Sequence, residues 1–271
     1  MLFELKDAKC GYGSKVVLQG VSFSVEPGEV LCILGANGAG KSTLFKSLLR
    51  LIPLMGGSLF VDGEDTAGWS RPKTARAIGY IPQASSLPFG YSVFDTVVMG
   101  RASRVGRMAN PVKDDERVAF ESLERMGIEN LAQRSMLELS GGQRQLVIIA
   151  RALAQQPRVL IMDEPTAALD FGNQQLVLEQ VKTLSDSGLA VVMASHFPDH
   201  AFLYAEKSLL VKDGGTYAYG PSNEVVTEES LRDLYSVESR IVNTHLTSPH
   251  TGTLINTCVP LGTVGAKAQT H

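Results

Sequence analysis

The segment Gly35-Ala36-Asn37-Gly38-Ala39-Gly40-Lys41-Ser42-Thr43 constrains this chain more than any other. Its glycines let the backbone turn tightly so that amide N–H groups converge. Lys41 brings positive charge for β and γ phosphates, and Ser42 offers a hydroxyl to a divalent cation. A loop of this kind needs a strand before it and a helix after it. Val30-Leu31-Cys32-Ile33-Leu34 is an unbroken apolar run that reads as a buried strand. The stretch from Ser42 to Leu49 has the spacing of an amphipathic helix. The context therefore predicts a nucleoside triphosphate cradle at the edge of a parallel sheet.

A second acidic motif follows far downstream. Val159-Leu160-Ile161-Met162 suits a central parallel strand, whose C-terminal end would deliver Asp163 and Glu164 to the edge where phosphate loops gather. A carboxylate there is costly unless a cation or a transferred proton compensates it. Asp163 is thus the natural holder of a metal's water shell, and Glu164 is free to polarise an attacking water as general base. Between the two motifs, Ser140-Gly141-Gly142 opens a helix whose apolar stripe is Leu146, Ile149, Ala150 and Leu153. A plain N-cap accounts for the serine. The two glycines fit better with a backbone anion site.

Leu139-Ser140-Gly141-Gly142-Gln143 resembles the signature sequence of the ATP-binding cassette (ABC) ATPases, and Val159 to Pro165 resembles that family's Walker B motif. The resemblance runs from the first strand to about Tyr235. It implies an α/β fold of the P-loop NTPase type, with a mixed sheet core, an antiparallel β subdomain and an inserted α-helical subdomain. It implies ATP and Mg2+ as ligands. It also implies an ATP-sandwich dimer with a second copy of the chain, in which Ser140, Gly141, Gly142 and Gln143 of one copy clasp the γ-phosphate held by the other. Within that resemblance Glu164, His196, Gln83 and Lys41 are catalytic. Tyr12, Gly35, Asn37, Gly38, Gly40, Lys41, Ser42, Thr43 and Asp170 join the signature residues in binding nucleotide, and Ser42, Gln83 and Asp163 hold the metal. Taken locally, Gln83 also reads as an exposed turn glutamine and Tyr12 as a hairpin or core tyrosine. His196 and His200 stand four apart but flank Pro198 with no third ligand in view, which argues against zinc.

With 25 Lys+Arg against 28 Asp+Glu the formal charge is -3, which gives no basic face for a nucleic-acid backbone. Cys10, Cys32 and Cys258 form no Cys-x-x-Cys pair and suit a reducing compartment. The N-terminus alternates apolar and charged residues and lacks the form of a signal peptide. Apolar runs fall far short of the roughly 20 residues that cross a bilayer. A soluble chain is expected, peripheral on the cytoplasmic face of the membrane and attached through polytopic permease subunits, with a substrate-binding protein as indirect partner. The absence of long heptads or a second phosphate loop separates it from DNA-repair and translation relatives.

The expected organisation is an ATPase domain over 1–236 with a helical insertion at about 84–155. An extension over 237–271 would form a small hairpin, around a turn at Ser248 to Gly252, and then a disordered tail from about Gly262. Strands are expected around Val16–Leu18 and Val21–Phe23, and helices over Ser92–Met99, Asp114–Met126 and Gln174–Leu184. The stretch Leu87 to Arg101 and the C-terminal hairpin resemble the cassettes of metal-chelate importers (iron siderophore, haem, cobalamin, molybdate). Phe89-Gly90-Tyr91-Ser92-Val93 leans toward the molybdate branch. The alternative is a cassette that drives assembly without transport, as in iron-sulfur cluster assembly.

Overall fold

The computed structural model describes residues 1–83, 90–104, 111–248 and 254–264. Strands β1 (Phe3–Tyr12) and β2 (Lys15–Val25) form an antiparallel pair that buries Phe3, Leu5, Ala8 and Cys10 against Leu18, Val21, Phe23 and Val25. The sequence predicts two strands where β2 is one. Ala8 pairs with Val21 and Cys10 with Leu18, so β2 spends one residue more than β1 over this interval. Gly20, at φ +67°, takes up the extra residue as a bulge. The bulge lets Leu18 and Val21, three apart, face the same core. A strict period of two reads the same spacing as a break.

β3 (Val30–Leu34) leads through the glycine loop into α1 (Lys41–Leu48). β4 (Gly56–Val61) and β5 (Glu64–Asp65) extend the antiparallel part, and α2 (Arg71–Ala77) precedes β6 (Ile78–Ile81). Between β6 and β7 (Val159–Asp163) come α3 (Val93–Val98), α4 (Lys113–Arg125) and α5 (Gly141–Ala154). Then follow α6 (Phe171–Asp186), β8 (Ala190–Ser195), α7 (Pro198–Tyr204), β9 (Lys207–Lys212) and β10 (Gly215–Pro221). The last elements are α8 (Ser222–Val225), α9 (Glu228–Tyr235), β11 (Val237–Thr247) and β12 (Leu254–Thr263). Leu87, Pro88 and Phe89 of the importer-like stretch, most of the predicted hairpin turn, and the tail from Gly265 lie outside the described residues.

Ten strands form one sheet in the order β5-β4-β1-β2-β10-β9-β3-β8-β7-β6. Its centre is parallel: β3 pairs with β8 and β9, and β7 with β8 and β6. Strands buried on both faces split their side chains by alternation. Leu31, Ile33, Ile161 and Val192 point to the α1 side. Cys32, Leu34, Leu160, Met162 and Met193 point to the side covered by α3 to α6. Parallel strands also place all their C-terminal ends along one edge, where the loops after β3, β6, β7 and β8 emerge.

β11 and β12 pair as a separate antiparallel hairpin. It is fastened by two carboxylates on neighbouring helices. Cys258 N–H donates to Asp199 Oδ1 on α7 at 2.7 Å, and Ile241 N–H to Glu228 Oε1 on α9 at 3.0 Å. β12 reaches Thr263, beyond the start expected for a disordered tail, because backbone pairing of Gly262 with Glu238 and Thr263 with Val237 needs no side-chain periodicity.

The helices between β6 and β7 share a buried ion pair. Arg101 Nε donates to Asp115 Oδ1 at 2.8 Å with side chains 6% and 8% exposed, and Arg101 Nη1 reaches the Ala154 carbonyl at 2.9 Å. The guanidinium holds the Asp115 carboxyl below the usual carboxylate range. Removing one partner strands the other charge. Arg101→Ala is expected to cost about 3 kcal/mol, seen as a lower urea midpoint by circular dichroism; an unchanged midpoint would contradict it. Asp115 has its lowered pKa in the folded state. Its contribution is therefore complete above the unfolded carboxylate pKa of about 4 and is lost as pH falls through the folded value.

Candidate active site

The glycine loop joins the buried end of β3 to α1. Gly40 adopts φ +102° against the Leu18 side chain, and a Cβ at Gly35 would lie 2.5 Å from the Val211 carbonyl oxygen. Larger residues fit neither place. Lys41 is folded into the loop: its Nζ donates to the Gly35 carbonyl at 2.6 Å and to Ala36 at 3.2 Å. Burial lowers the Lys41 pKa, and the Glu164 and Asp163 carboxylates oppose that shift. A cleft of about 400 Å³ runs along Ala36 to Ala39, walled by Val17 and by the turn Lys212-Asp213-Gly214.

β7 ends at Asp163, which is buried, and Ser42 Oγ donates to its Oδ2 at 3.2 Å. Burial raises the Asp163 pKa, while the Ser42 hydrogen bond works the other way. Glu164 follows in the left-handed region at φ +53°, an arrangement that costs a non-glycine residue about 1 kcal/mol or more. The turn aims its carboxylate at two side chains from neighbouring strands. Gln83 Nε2, just past β6, donates to Glu164 Oε2 at 2.6 Å, and His196 Nε2, just past β8, pairs with Glu164 Oε1. Ser42, Gln83, Asp163, Glu164 and His196 thus meet beside the loop that holds Lys41.

The signature turn lies elsewhere in the same chain. Ser140 caps α5, accepting from Gln143 N–H at 3.2 Å, while Gln143 Oε1 accepts from Ser140 N–H at 3.1 Å. This is a capping box, so Ser140 caps its own helix while Gly141 stays exposed and Gly142 is buried. Gly141 and Gly142 lean on Leu169 and Asn173 of the segment after β7. There Asp170 caps α6, accepting from Asn173 N–H at 2.9 Å. Among the described residues no hydrogen bond or ion pair joins Ser140 to Gln143 with the glycine loop.

Tyr12 ends β1 with its ring 45% exposed, above Lys46 of α1. The Thr43 hydroxyl, with help from Lys46, holds its phenol below the usual value. His200 faces inward. Its Nδ1 meets Ser195 Oγ at 2.8 Å, its ring lies against Phe197, and burial pulls its pKa down to about 4, so it stays neutral at ordinary pH. One residue at the site has no local signal in the sequence. Tyr235, at the end of α9, accepts the Gly35 N–H on its phenol oxygen at 3.0 Å, and burial raises the phenol's pKa. Two hundred positions separate the partners. Only the folded chain reveals the pairing.

The donor set around Ser42 and Asp163 is hydroxyl, carboxylate and, from Gln83, amide oxygen. Hard oxygen donors with a single buried carboxylate fit Mg2+, which takes few protein ligands and completes its shell with water and phosphate. No group of three or more His, Cys, Asp and Glu side chains placed to hold a metal occurs among the described residues, so a site made by protein carboxylates and imidazoles alone is not indicated.

The profile of the ABC transporter family matches residues 18–167. The molybdate import ATP-binding protein MolC of Haemophilus influenzae is 36% identical over 220 residues, 81% of this chain and 81% of that protein. The hemin import ATP-binding protein HmuV of Streptomyces coelicolor is 37% identical over 243 residues, 90% of this chain and 85% of its own length. Among solved structures, a metal-chelate type ABC transporter in an inward-facing conformation superposes with a TM-score of 0.83 at 32% identity, over 96% of this chain and 97% of that one. With its glycine loop, its paired acids and its signature turn on this fold, the chain belongs to the ATP-hydrolysing ATP-binding proteins of the ABC transporter family.

Proposed function

We propose that this chain powers an ABC importer. Two copies clasp two ATP molecules between them, and their closure and reopening move membrane-spanning permease subunits that take up a metal chelate or an oxyanion such as molybdate. The observation that carries the catalytic part is the Glu164 carboxylate, gripped by Gln83 and His196 beside the Ser42–Asp163 pair and Lys41. A carboxylate fixed on both oxygens is already oriented to accept a proton from water, so little reorganisation remains for the chemical step.

In this reading the loop amides and Lys41 hold the β and γ phosphates, and a phosphate anion would join the Glu164 and Asp163 carboxylates in offsetting the burial of the ammonium. Mg2+, held by Ser42 and Asp163 with Gln83 at its edge, would offset the charge on the phosphate oxygens. Tyr12 presents its exposed ring to adenine. His196 contacts the γ-phosphate, and Gln83 ties that event to the neighbouring helices. Ser140, Gly141, Gly142 and Gln143 of the second copy close over the phosphate, with Asp170 at the same junction. Phosphoryl transfer of this type rests on positioning and charge rather than covalent chemistry.

Importer function is supported by the names of MolC and HmuV. No helix among the described residues is long and apolar enough to cross a membrane, and in this reading the passage is formed by partner subunits. The chain would sit at the cytoplasmic face of the membrane, bound to its permease, with a substrate-binding protein delivering cargo on the far side.

Glu164→Gln keeps the size of the side chain and removes the base. Turnover should fall by about a hundredfold or more while ATP binding persists and a stable dimer accumulates in gel filtration with light scattering. Hydrolysis at the wild-type rate would remove Glu164 from this role. Lys41→Ala should weaken ATP binding itself by about 50-fold, measured by titration calorimetry, and an unchanged Kd would contradict the assignment. For transport, affinity capture of the tagged chain from detergent-solubilised membranes should bring down a polytopic subunit whose vesicles take up molybdate or hemin on ATP addition. Recovery of the chain with soluble assembly factors alone would overturn the importer reading.

A further inference from the structure

The two glycines of the signature turn differ in what surrounds them. A methyl group at Gly141 would meet only Leu169 Cδ2, at an ordinary 3.4 Å. A methyl group at Gly142 would overlap Asn173 Oδ1 and lie 2.5 Å from Asn173 Cγ and 3.1 Å from Asn173 Cβ. The direction in which position 142 could grow points into α6 of its own chain. Gly142 is buried there, and the close approach of Asn173 leaves no room for a side chain as the two helices stand.

Asn173 is also fastened on its other side. Its Nδ2 donates to Asp170 Oδ2 at 2.7 Å, and its backbone N–H donates to Asp170 Oδ1 at 2.9 Å. One carboxamide therefore holds the aspartate loop through its nitrogen and rests its oxygen against the signature helix. Gln174 adds a hydrogen bond from its Nε2 to the Leu169 carbonyl at 3.0 Å, which keeps the loop closed over the same helix start.

We infer that Asn173 is a positioning residue that locks the aspartate loop and the signature turn into one rigid unit, so that both reach the second copy's nucleotide in fixed register. This deepens the dimer reading given above and rests on it. Binding in trans needs Ser140, Gly141, Gly142 and Asp170 placed together before the copies meet, and loss of the lock lowers association without touching the nucleotide site of a single chain. Substitution at Gly142 acts through the same lock: a methyl there pushes the carboxamide off Asp170. With Asn173 shortened, the methyl has room.

The test is a double-mutant cycle in the Glu164→Gln background, reading the ATP-driven monomer–dimer equilibrium by analytical ultracentrifugation and monomer ATP affinity by calorimetry. Asn173→Ala should weaken dimerisation about tenfold, as expected for loss of a hydrogen bond to a charged group, with monomer ATP affinity unchanged. Asn173→Ser, which keeps a short donor for Asp170, should recover part of the loss. Gly142→Ala should weaken dimerisation at least as much as Asn173→Ala, and the pair together no more than Asn173→Ala alone. Losses that multiply would mean that Gly142 is required by the partner's phosphate and not by Asn173, which overturns the inference, as would wild-type association of Asn173→Ala. If Glu164→Gln itself stays monomeric, the dimer reading fails separately. The lock is then read in the monomer, where Asn173→Ala should speed amide hydrogen exchange across residues 141–143, and unchanged exchange overturns it.

Discussion

The grip of Gln83 and His196 on Glu164 depends on the register of three adjacent parallel strands. Ile81 of β6 lies opposite Met162 of β7, and Asp163 of β7 opposite Ala194 of β8. Gln83 and Glu164 therefore each stand two residues past a paired position, and His196 two residues past Ala194. The loops leave the sheet at one level and their side chains converge. A slip of one residue in any of these strands would turn its side chains to the opposite face and leave the carboxylate without one of its donors. Apolar runs buried on both faces do not set this register by pattern alone; a slip would also displace the polar ends Asp163 and Ser195 from where they meet Ser42 and His200.

The same edge of the sheet is tied to the end of the chain. Tyr235 gives the first glycine of the phosphate loop a hydrogen-bond acceptor, and the hairpin begins two residues later. The hairpin in turn is bonded to Asp199, which stands on the helix that follows His196. A buried backbone N–H without an acceptor is destabilising, so the Gly35 amide needs either Tyr235 or another partner. The extension is thus packed against α7, which follows His196, and α9, which ends at Tyr235.

Much of the fold was legible because its determinants are local. The apolar runs Val30–Leu34 and Val159–Met162 have one reading in a chain with a glycine loop between strand and helix, and the loops at strand ends follow from parallel order. The candidate site was legible in two ways: Lys41, Ser42, Asp163 and Glu164 stand in short runs whose chemistry needs no distant partner to be seen, whereas Gln83, His196 and Tyr12 drew their roles only from the family resemblance. What stayed hidden depends on contacts across the chain. The Gly20 bulge joins β2 only because β1 offers it a register to rejoin. Tyr235 matters through an amide far away in sequence. The Arg101–Asp115 pair spans residues outside the described structure, and neither charge is unusual in its own neighbourhood.

Asn173 shows why a motif can be read correctly and still incompletely. The serine and glutamine of the signature turn satisfy each other's backbone groups, so capping alone would stabilise the start of α5 whatever stood at position 142. A side chain at position 142 would collide with one from the next helix, brought within contact distance by packing between α5 and α6. That side chain is held in turn by Asp170, the residue that caps its own helix. In the dimer proposed above, the turn gains precision from such a chain of contacts, since rigid placement before encounter removes ordering entropy from the association step. The conformational demand on a two-glycine turn is thereby carried by three residues that no local pattern links to it: Leu169, Asp170 and Asn173.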